Sequence, residues 1–228
     1  MRNGILVVNK PKGLTSHDVV NSVRKALKMR RIGHAGTLDP LATGVLVILV
    51  GECTKLFDRF LTFDKEYVAT LTLGSRTTTG DSDGQVVEQR DYCGVTEEKV
   101  LGVLSAFRGE LMQVPPMVSA VRHEGQRLYV LARQGKEVER KPRRVHIKEL
   151  RLERFNLPDI QFYLKCSRGT YVRQLAEDIA RELNCIGFVS QIERRGIGPF
   201  SIHDAIDLTE VDEAKVVPFA EAIHTQGG

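Results

Sequence analysis

Two apolar periodicities interleave along this chain without settling into regular strand–helix–strand units, and that irregularity constrains the fold more than any other feature. Residues 67–73 alternate apolar and polar side chains with period two, as a half-buried strand does. Val19, Val20, Val23 and Leu27 instead share one side of a helix that Ser16 can cap, with Arg24, Lys25 and Lys28 opposite. Further strands are predicted at 5–10, 45–50, 145–155, 160–167 and 188–193, and a polar turn over 77–84. Further helices are predicted from Thr96 towards Phe107 and over 171–183, the latter capped by Thr170. The turn Asn156-Leu157-Pro158-Asp159 between two strand runs is a hairpin signal. The pattern predicts the α+β class, with a largely antiparallel mixed central sheet flanked by helices.

Composition narrows the function classes. With 228 residues, 42% hydrophobic and 27% charged, the chain can bury a sizeable core. The longest apolar run, 45–50, has six residues, far short of the roughly 18 that suggest a membrane span. The N-terminus Met1-Arg2-Asn3-Gly4 lacks the apolar region of a secretory signal. A cytoplasmic protein without membrane association is therefore expected. Cys53, Cys93, Cys166 and Cys185 are scattered with no C-x-x-C pair, which argues against a disulfide framework or a zinc knuckle.

Net charge is +4, and it is unevenly spread. Residues 122–148 carry nine Lys/Arg against three Glu, whereas 204–221 carry six acidic residues against Lys215 alone. Arg24, Lys25, Lys28, Arg30 and Arg31 form a second basic run. Basic clusters on a balanced protein point to a phosphate backbone as partner, although charge alone is equally compatible with a solvated face. Residues 118–144, basic and broken by Gly125 and Gly135, read as an insert on one core, with a short helix near 128–134.

The most informative stretch is Gly33-His34-Ala35-Gly36-Thr37-Leu38-Asp39-Pro40-Leu41-Ala42-Thr43-Gly44. Read as a loop, it places Asp39 just ahead of a strongly apolar strand, where a carboxylate can be held against a ligand. It is not a phosphate-binding P-loop, because no G-x-x-x-x-G-K-[ST] spacing occurs. Asp-Pro by itself is an ordinary turn initiator. The whole string, however, resembles the signature of the TruB family of tRNA pseudouridine synthases, which convert uridine 55 of the tRNA T loop to pseudouridine. Other segments agree in the right order. Asn9-Lys10-Pro11-Lys12-Gly13 followed by Ser16 is similar to the family's N-terminal motif. Lys65-Glu66-Tyr67, the turn with Thr77, Thr79, Asp81, Asp83 and Gly84, and Cys166 through Arg173 resemble later motifs. Arg194 and Gly198-Pro199-Phe200 resemble the last, with Ile192 where a leucine is usual.

The resemblance implies a pseudouridine synthase fold in a single catalytic domain, 1–228, whose thumb-like insert at 118–144 binds RNA. It makes Asp39 the nucleophile, a role open to carboxylates, and nominates Arg173 as the cation that keeps it charged and oriented. Tyr67 is implied to stack on the flipped uracil and to take part in removing the C5 proton, and Asp81 to partner the arginine. His34 is implied to insert into the T loop as bases flip out. Lys10 and Ile192 join His34 and Asp81 as substrate-binding candidates. Arg140, Lys141, Arg143 and Arg144 are expected to grip phosphates. The reaction needs neither a redox cofactor nor a metal, so none is expected. The implied partner is the T-arm stem-loop of tRNA, without a guide RNA, and the protein is expected to be a monomer. Family members usually carry a C-terminal PUA domain; a chain ending at Gly228 is expected to lack it and to contact the acceptor-stem side less.

Two other readings use the same features. A non-catalytic RNA-binding or RNA-folding protein would need only the basic clusters, and the joint presence of Asp39, Tyr67 and Arg173 weighs against that as the sole role. A guide-RNA-dependent relative is disfavoured by the Leu41-Ala42-Thr43-Gly44 continuation and by the thumb-like insert.

Overall fold

The computed structural model describes residues 3–119 and 121–220. Glu221, the last acidic residue of the C-terminal run, and Ala120 within the insert lie outside the described residues. In chain order the elements begin with β1 (Gly4–Lys10), α1 (Ser16–Ala26), β2 (Ile32–Ala35), β3 (Thr43–Val50), α2 (Phe57–Leu61) and β4 (Lys65–Leu73). There follow β5 (Ser75–Thr77), β6 (Val86–Gln89), α3 (Glu97–Ala106), β7 (Gly109–Gln113), β8 (Arg122–His123), β9 (Gln126–Arg127) and α4 (Leu128–Arg133). The chain continues through β10 (Arg143–Asn156), β11 (Asp159–Cys166), α5 (Val172–Glu182), β12 (Gly187–Ile197), β13 (Phe200–Ser201) and β14 (Ile206–Asp207). It divides into two compact units, Met1–Val68 with Ile192–Gly228, and Ala69–Gln191, so β4 and β12 each contribute to both.

In the first unit the strand order is β14-β1-β3-β12. Strand β3 is apolar from Val45 to Val50 because both its faces are covered, and each of those side chains is buried. It pairs antiparallel with β1, from Gly4 opposite Val50 to Lys10 opposite Gly44, and parallel with β12 at Thr43 and Gly44. Its other partner, β2, is a departure from the sequence reading. Gly33, His34 and Ala35 do not belong to a loop but pair with Leu49, Ile48 and Val47. Four residues that include Gly33 and end at Gly36 carry too short a pattern to read as a strand; the long apolar partner strand creates it. Phe60 closes this core, stacked on Phe200 at 5.9 Å between ring centroids and edge-on to Phe63 at 5.7 Å.

Helix α1 starts one residue earlier than expected. Thr15, not Ser16, is the N-cap: its hydroxyl accepts the Asp18 N–H at 3.1 Å, and the Asp18 carboxylate accepts the Thr15 N–H at 2.9 Å. Ser16 is thereby released for another task.

In the second unit the strand order is β12-β4-β11-β10-β7. Strands β10 and β11 form the hairpin that the 156–159 turn signalled, closing at Asn156 opposite Asp159. Strand β7, not foreseen from the sequence, pairs antiparallel with β10 from Gln113 opposite Arg143 to Gly109 opposite Ile147. Arg143 and Arg144 accordingly belong to a sheet strand, not to the insert. The turn of 77–84 is the tip of a second small hairpin, β5 with β6. Helix α5 buries Val172, Leu175, Ala176, Ile179 and Ala180 at helical spacing. Its N-cap is Tyr171, which supplies no side-chain cap. Thr170 is not the cap, since its hydroxyl donates back to the Ser167 carbonyl at 3.0 Å. The α+β class and the predominantly antiparallel mixed sheet hold.

Replacing Thr15 by Ala removes one half of the capping box and should lower stability by about 1 kcal/mol in urea unfolding. The loop that Ser16 touches should stay in place.

Candidate active site

Asp39 opens a tight turn in which its carbonyl accepts the Ala42 N–H at 3.1 Å, with Pro40 at the position where a fixed φ favours turning. The turn is held from three directions. Ser16 Oγ accepts the Leu38 N–H at 2.8 Å and donates to the Leu38 carbonyl at 3.1 Å, both in buried surroundings. The Pro40 carbonyl accepts the Gly13 N–H at 2.8 Å and the Lys10 ammonium at 3.3 Å. The ammonium also donates to the Leu14 and Pro11 carbonyls, at 2.6 and 3.0 Å. Lys10 is fully buried, so its three donors meeting three carbonyls offset much of its lost hydration.

The third hold is Arg194, 1% exposed. Its guanidinium donates to the carbonyls of Val45 at 2.7 Å, Gly36 at 2.9 Å and Thr37 at 3.4 Å. Burial pulls its pKa down, while a hydrogen bond with the Tyr67 side chain opposes that shift. Tyr67, itself buried on β4, is thus joined to the Asp39 loop through one cation. Gly44 packs against the backbone of the same residue: its φ is +96°, and a Cβ there would lie 2.3 Å from the Arg194 carbonyl oxygen. Ile192 is buried beside this end of β3, its carbonyl 3.4 Å from the Thr43 hydroxyl. Asp39 is half-buried. Sequence pattern alone signals neither the burial of Arg194 nor the two hydrogen bonds between Ser16 and the Leu38 peptide. A motif match marks such residues but does not tell a clamp from a reactant.

The second unit holds Asp81 and Arg173 together. The Arg173 Nε lies 3.5 Å from Asp81 Oδ2, with both side chains buried. The other Asp81 oxygen accepts from the Thr79 hydroxyl and from the Asp83 N–H at 3.1 Å. Arg173 further donates to the Thr79 and Val118 carbonyls, each at 2.8 Å. The aspartate and arginine are therefore held mutually rather than presented to solvent.

His34, on β2, is half-buried, and its Nδ1 is buried without a hydrogen-bond partner. Burial first, then the positive charges of Arg194 and His17, push its pKa below the ordinary value. Of the basic candidates, Lys141, Arg143 and Arg144 are exposed. Arg140 turns inward, donating to the Pro115 carbonyl at 3.2 Å with Glu137 at 3.4 Å. Among the described residues no group of three His, Cys, Asp or Glu could hold a metal ion, and no helix is long and apolar enough to cross a membrane.

Against solved structures, this fold superposes on a chain of a Cbf5-Nop10-Gar1 complex with a TM-score of 0.72 at 29% identity. The match covers 91% of this chain and 53% of the other, so the chain spans about half that neighbour's length. A chain of an H/ACA RNP bound to a substrate RNA containing 2′-deoxyuridine gives a TM-score of 0.71 at 24% identity, over 96% of this chain and 60% of that one. The fold is that of the pseudouridine synthases. A family model described as TruB family pseudouridylate synthase (N terminal domain) matches residues 24–172. The tRNA pseudouridine synthase B of Francisella philomiragia is 44% identical over 212 residues, 92% of this chain and 70% of that protein. That of Geotalea uraniireducens is 45% identical over 231 aligned positions, 97% of this chain and 74% of that protein. The chain belongs to the TruB family of pseudouridylate synthases.

Two outcomes follow from this geometry. Ser16→Ala strands the buried Leu38 N–H and should cost about 1–3 kcal/mol in urea unfolding, more than Thr15→Ala. Because the folded state lowers the His34 pKa, protonation there favours the unfolded chain. Stability should fall as pH drops from about 6.5 towards the lowered value, and His34→Gln should lose that component in urea midpoints compared at about pH 7.5 and pH 5.

Proposed function

We propose that this chain isomerises uridine 55 in the T loop of tRNA to pseudouridine, with Asp39 as nucleophile. The observation that carries the reading is the Asp39 turn itself. Its neighbouring backbone is fixed by Ser16, Lys10, Gly13 and Arg194, and Arg194 also bonds to Tyr67. A carboxylate on a backbone this constrained is positioned before substrate arrives, which is where much of an enzyme's advantage over solution lies.

In this reading the carboxylate bonds to the nucleoside, the C1′–N1 bond breaks, and the uracil turns and rejoins through C5; the bond to Asp39 is released, C5 gives up its proton and N1 gains one. Tyr67 stacks on the extruded base and takes part in removing the C5 proton. Arg173, in its family role, orients the nucleophile, and Asp81 aims the arginine. Lys10 acts through the turn, as its ammonium is committed to backbone carbonyls. His34 occupies space that bases vacate in the T loop. Ile192 shapes the apolar side of the base site. The chain works as one catalytic domain, a cytoplasmic monomer that needs no guide RNA. Lys141, Arg143 and Arg144 grip T-arm phosphates, with Arg140 bracing the insert from within.

Asp39→Asn keeps shape and removes the nucleophile. Incubated with an unmodified T-arm hairpin, the parent protein should form pseudouridine at the target position by mass mapping. The variant should bind the hairpin and leave it unmodified. Normal turnover by the variant would overturn the mechanism, and a parent that binds without modifying would favour an RNA-folding role instead. Replacing Lys141, Arg143 and Arg144 by Gln should weaken binding and flatten the slope of log affinity against log salt by about 0.9 per lost phosphate contact in duplex, or about 0.7 in single strand.

A further inference from the structure

We propose that Gln113 is a positioning residue for Arg173, an inference that rests on the function proposed above. Gln113 is the last residue of β7 and is 4% exposed. Its side-chain amide bonds twice to one residue: Oε1 accepts the Tyr171 N–H at 2.8 Å, and Nε2 donates to the Tyr171 carbonyl at 3.1 Å. Tyr171 is the N-cap of α5, and no side chain of its own caps that helix. The first N–H groups of a helix lack intrahelical acceptors, so the Gln113 oxygen satisfies one that would otherwise be stranded. Arg173 stands two residues into the same turn. Clamping Tyr171 from both its N–H and its carbonyl fixes the backbone from which the Arg173 side chain departs.

A second tie runs the other way. The Arg173 guanidinium donates to the Val118 carbonyl at 2.8 Å, five residues beyond Gln113 and at the start of the basic insert. The segment from Gln113 to Val118 is therefore pinned at one end to the helix that carries Arg173 and at the other to Arg173 itself. The amide offers this pair of bonds at any pH, whereas a glutamate offers it only when protonated and, once ionised, sets oxygen against oxygen at the Tyr171 carbonyl; leucine keeps only the bulk. A displaced helix start would move the guanidinium relative to Asp81, whose Nε–Oδ2 separation of 3.5 Å leaves little margin as a direct contact.

The test compares Gln113→Leu and Gln113→Glu with the parent, alone and in an Arg173→Lys background, by single-turnover pseudouridine formation at saturating protein and by hairpin binding. Gln113→Leu should slow single turnover between about tenfold and a hundredfold, the range that small misplacements of an active-site group cost. Hairpin affinity should change by less than about twofold, because Gln113 is buried and its amide is committed to Tyr171. Gln113→Glu should fall between the two. In the Arg173→Lys background the same substitutions should cost little more, since the group they position is already lost. Equal losses in both backgrounds, or a folded Gln113→Leu variant turning over at the parent rate, would overturn the assignment. Should Gln113→Leu fail to fold, Gln113→Glu decides: turnover that falls relative to the parent as rising pH ionises the glutamate supports the assignment, and a parent-like rate at every pH would overturn it. A parent that forms no pseudouridine refutes the proposed function. The same four-variant cycle read in urea midpoints still decides the coupling of Gln113 to Arg173, with additive shifts counting against it.

Discussion

Two cations buried among backbone carbonyls determine where the rest of the candidate site lies. Lys10 is fully buried and Arg194 nearly so, and charges in such places destabilise a fold unless their donors are met. Here they are met by peptide oxygens of the loop that carries Asp39: Pro40 for Lys10, Gly36 and Thr37 for Arg194. The dependence is mutual. Each cation requires the loop in one shape, because any other shape leaves it facing unmatched surroundings in low dielectric. The loop, rich in glycine and otherwise free to take many shapes, is fixed by that requirement. The arrangement gives specificity of conformation, and the positions of Asp39 and Tyr67 follow from it.

The second unit reaches the same end with different groups. Its buried arginine meets a carboxylate and two carbonyls, and the carboxylate is itself fixed by a threonine hydroxyl and a backbone N–H within its own turn. An isolated buried ion pair is weak evidence for stability, because desolvation offsets most of the attraction. Satisfied on all sides, it is good evidence that the geometry matters. The Asp81 turn is fixed in turn by the Gly80 and Val189 backbones, bonded at 3.0 Å. Arg173 is thus carried by a packed helix and held by a turn tied to the sheet, not by a loose loop.

Where periodicity was long, the sequence was readable. The strands at β1, β3 and β10, the hairpin at 156–159, and α5 stand within a few residues of their expected positions, because each buries a face of regular spacing. The Asp39 motif was legible too, although by resemblance more than by chemistry. What stayed hidden were features that exist only through a partner. Strand β2 forms because β3 offers an edge, and β7 because β10 does. Ser16 looked like a cap because serine before an apolar run usually is one, yet Thr15 competes better through its reciprocal bonds with Asp18. Arg140 reads as a phosphate contact, but the Pro115 carbonyl, far earlier in the chain, and the Glu137 carboxylate turn it inward. In every case the deciding partner is distant in sequence or belongs to a choice between neighbours that pattern alone cannot rank.

The signature string can be understood position by position once these contacts are in view. Gly36 and Gly44 both lie against Arg194, Gly44 so closely that any side chain would meet a backbone oxygen. Leu38, Leu41 and Ala42 are buried, which fixes the inward side of the turn, and the Leu38 peptide is where Ser16 holds it. Pro40 sets the turn and offers its carbonyl to two donors, while lacking the N–H that the turn would leave unmatched. Most of the string is thus explained by packing and hydrogen bonding alone, with no reference to substrate. Asp39 is the exception: the turn would accept an asparagine or serine in its place on backbone grounds. A charged residue kept half-buried at a position whose local geometry does not demand charge is what the proposed nucleophilic role of Asp39 would require.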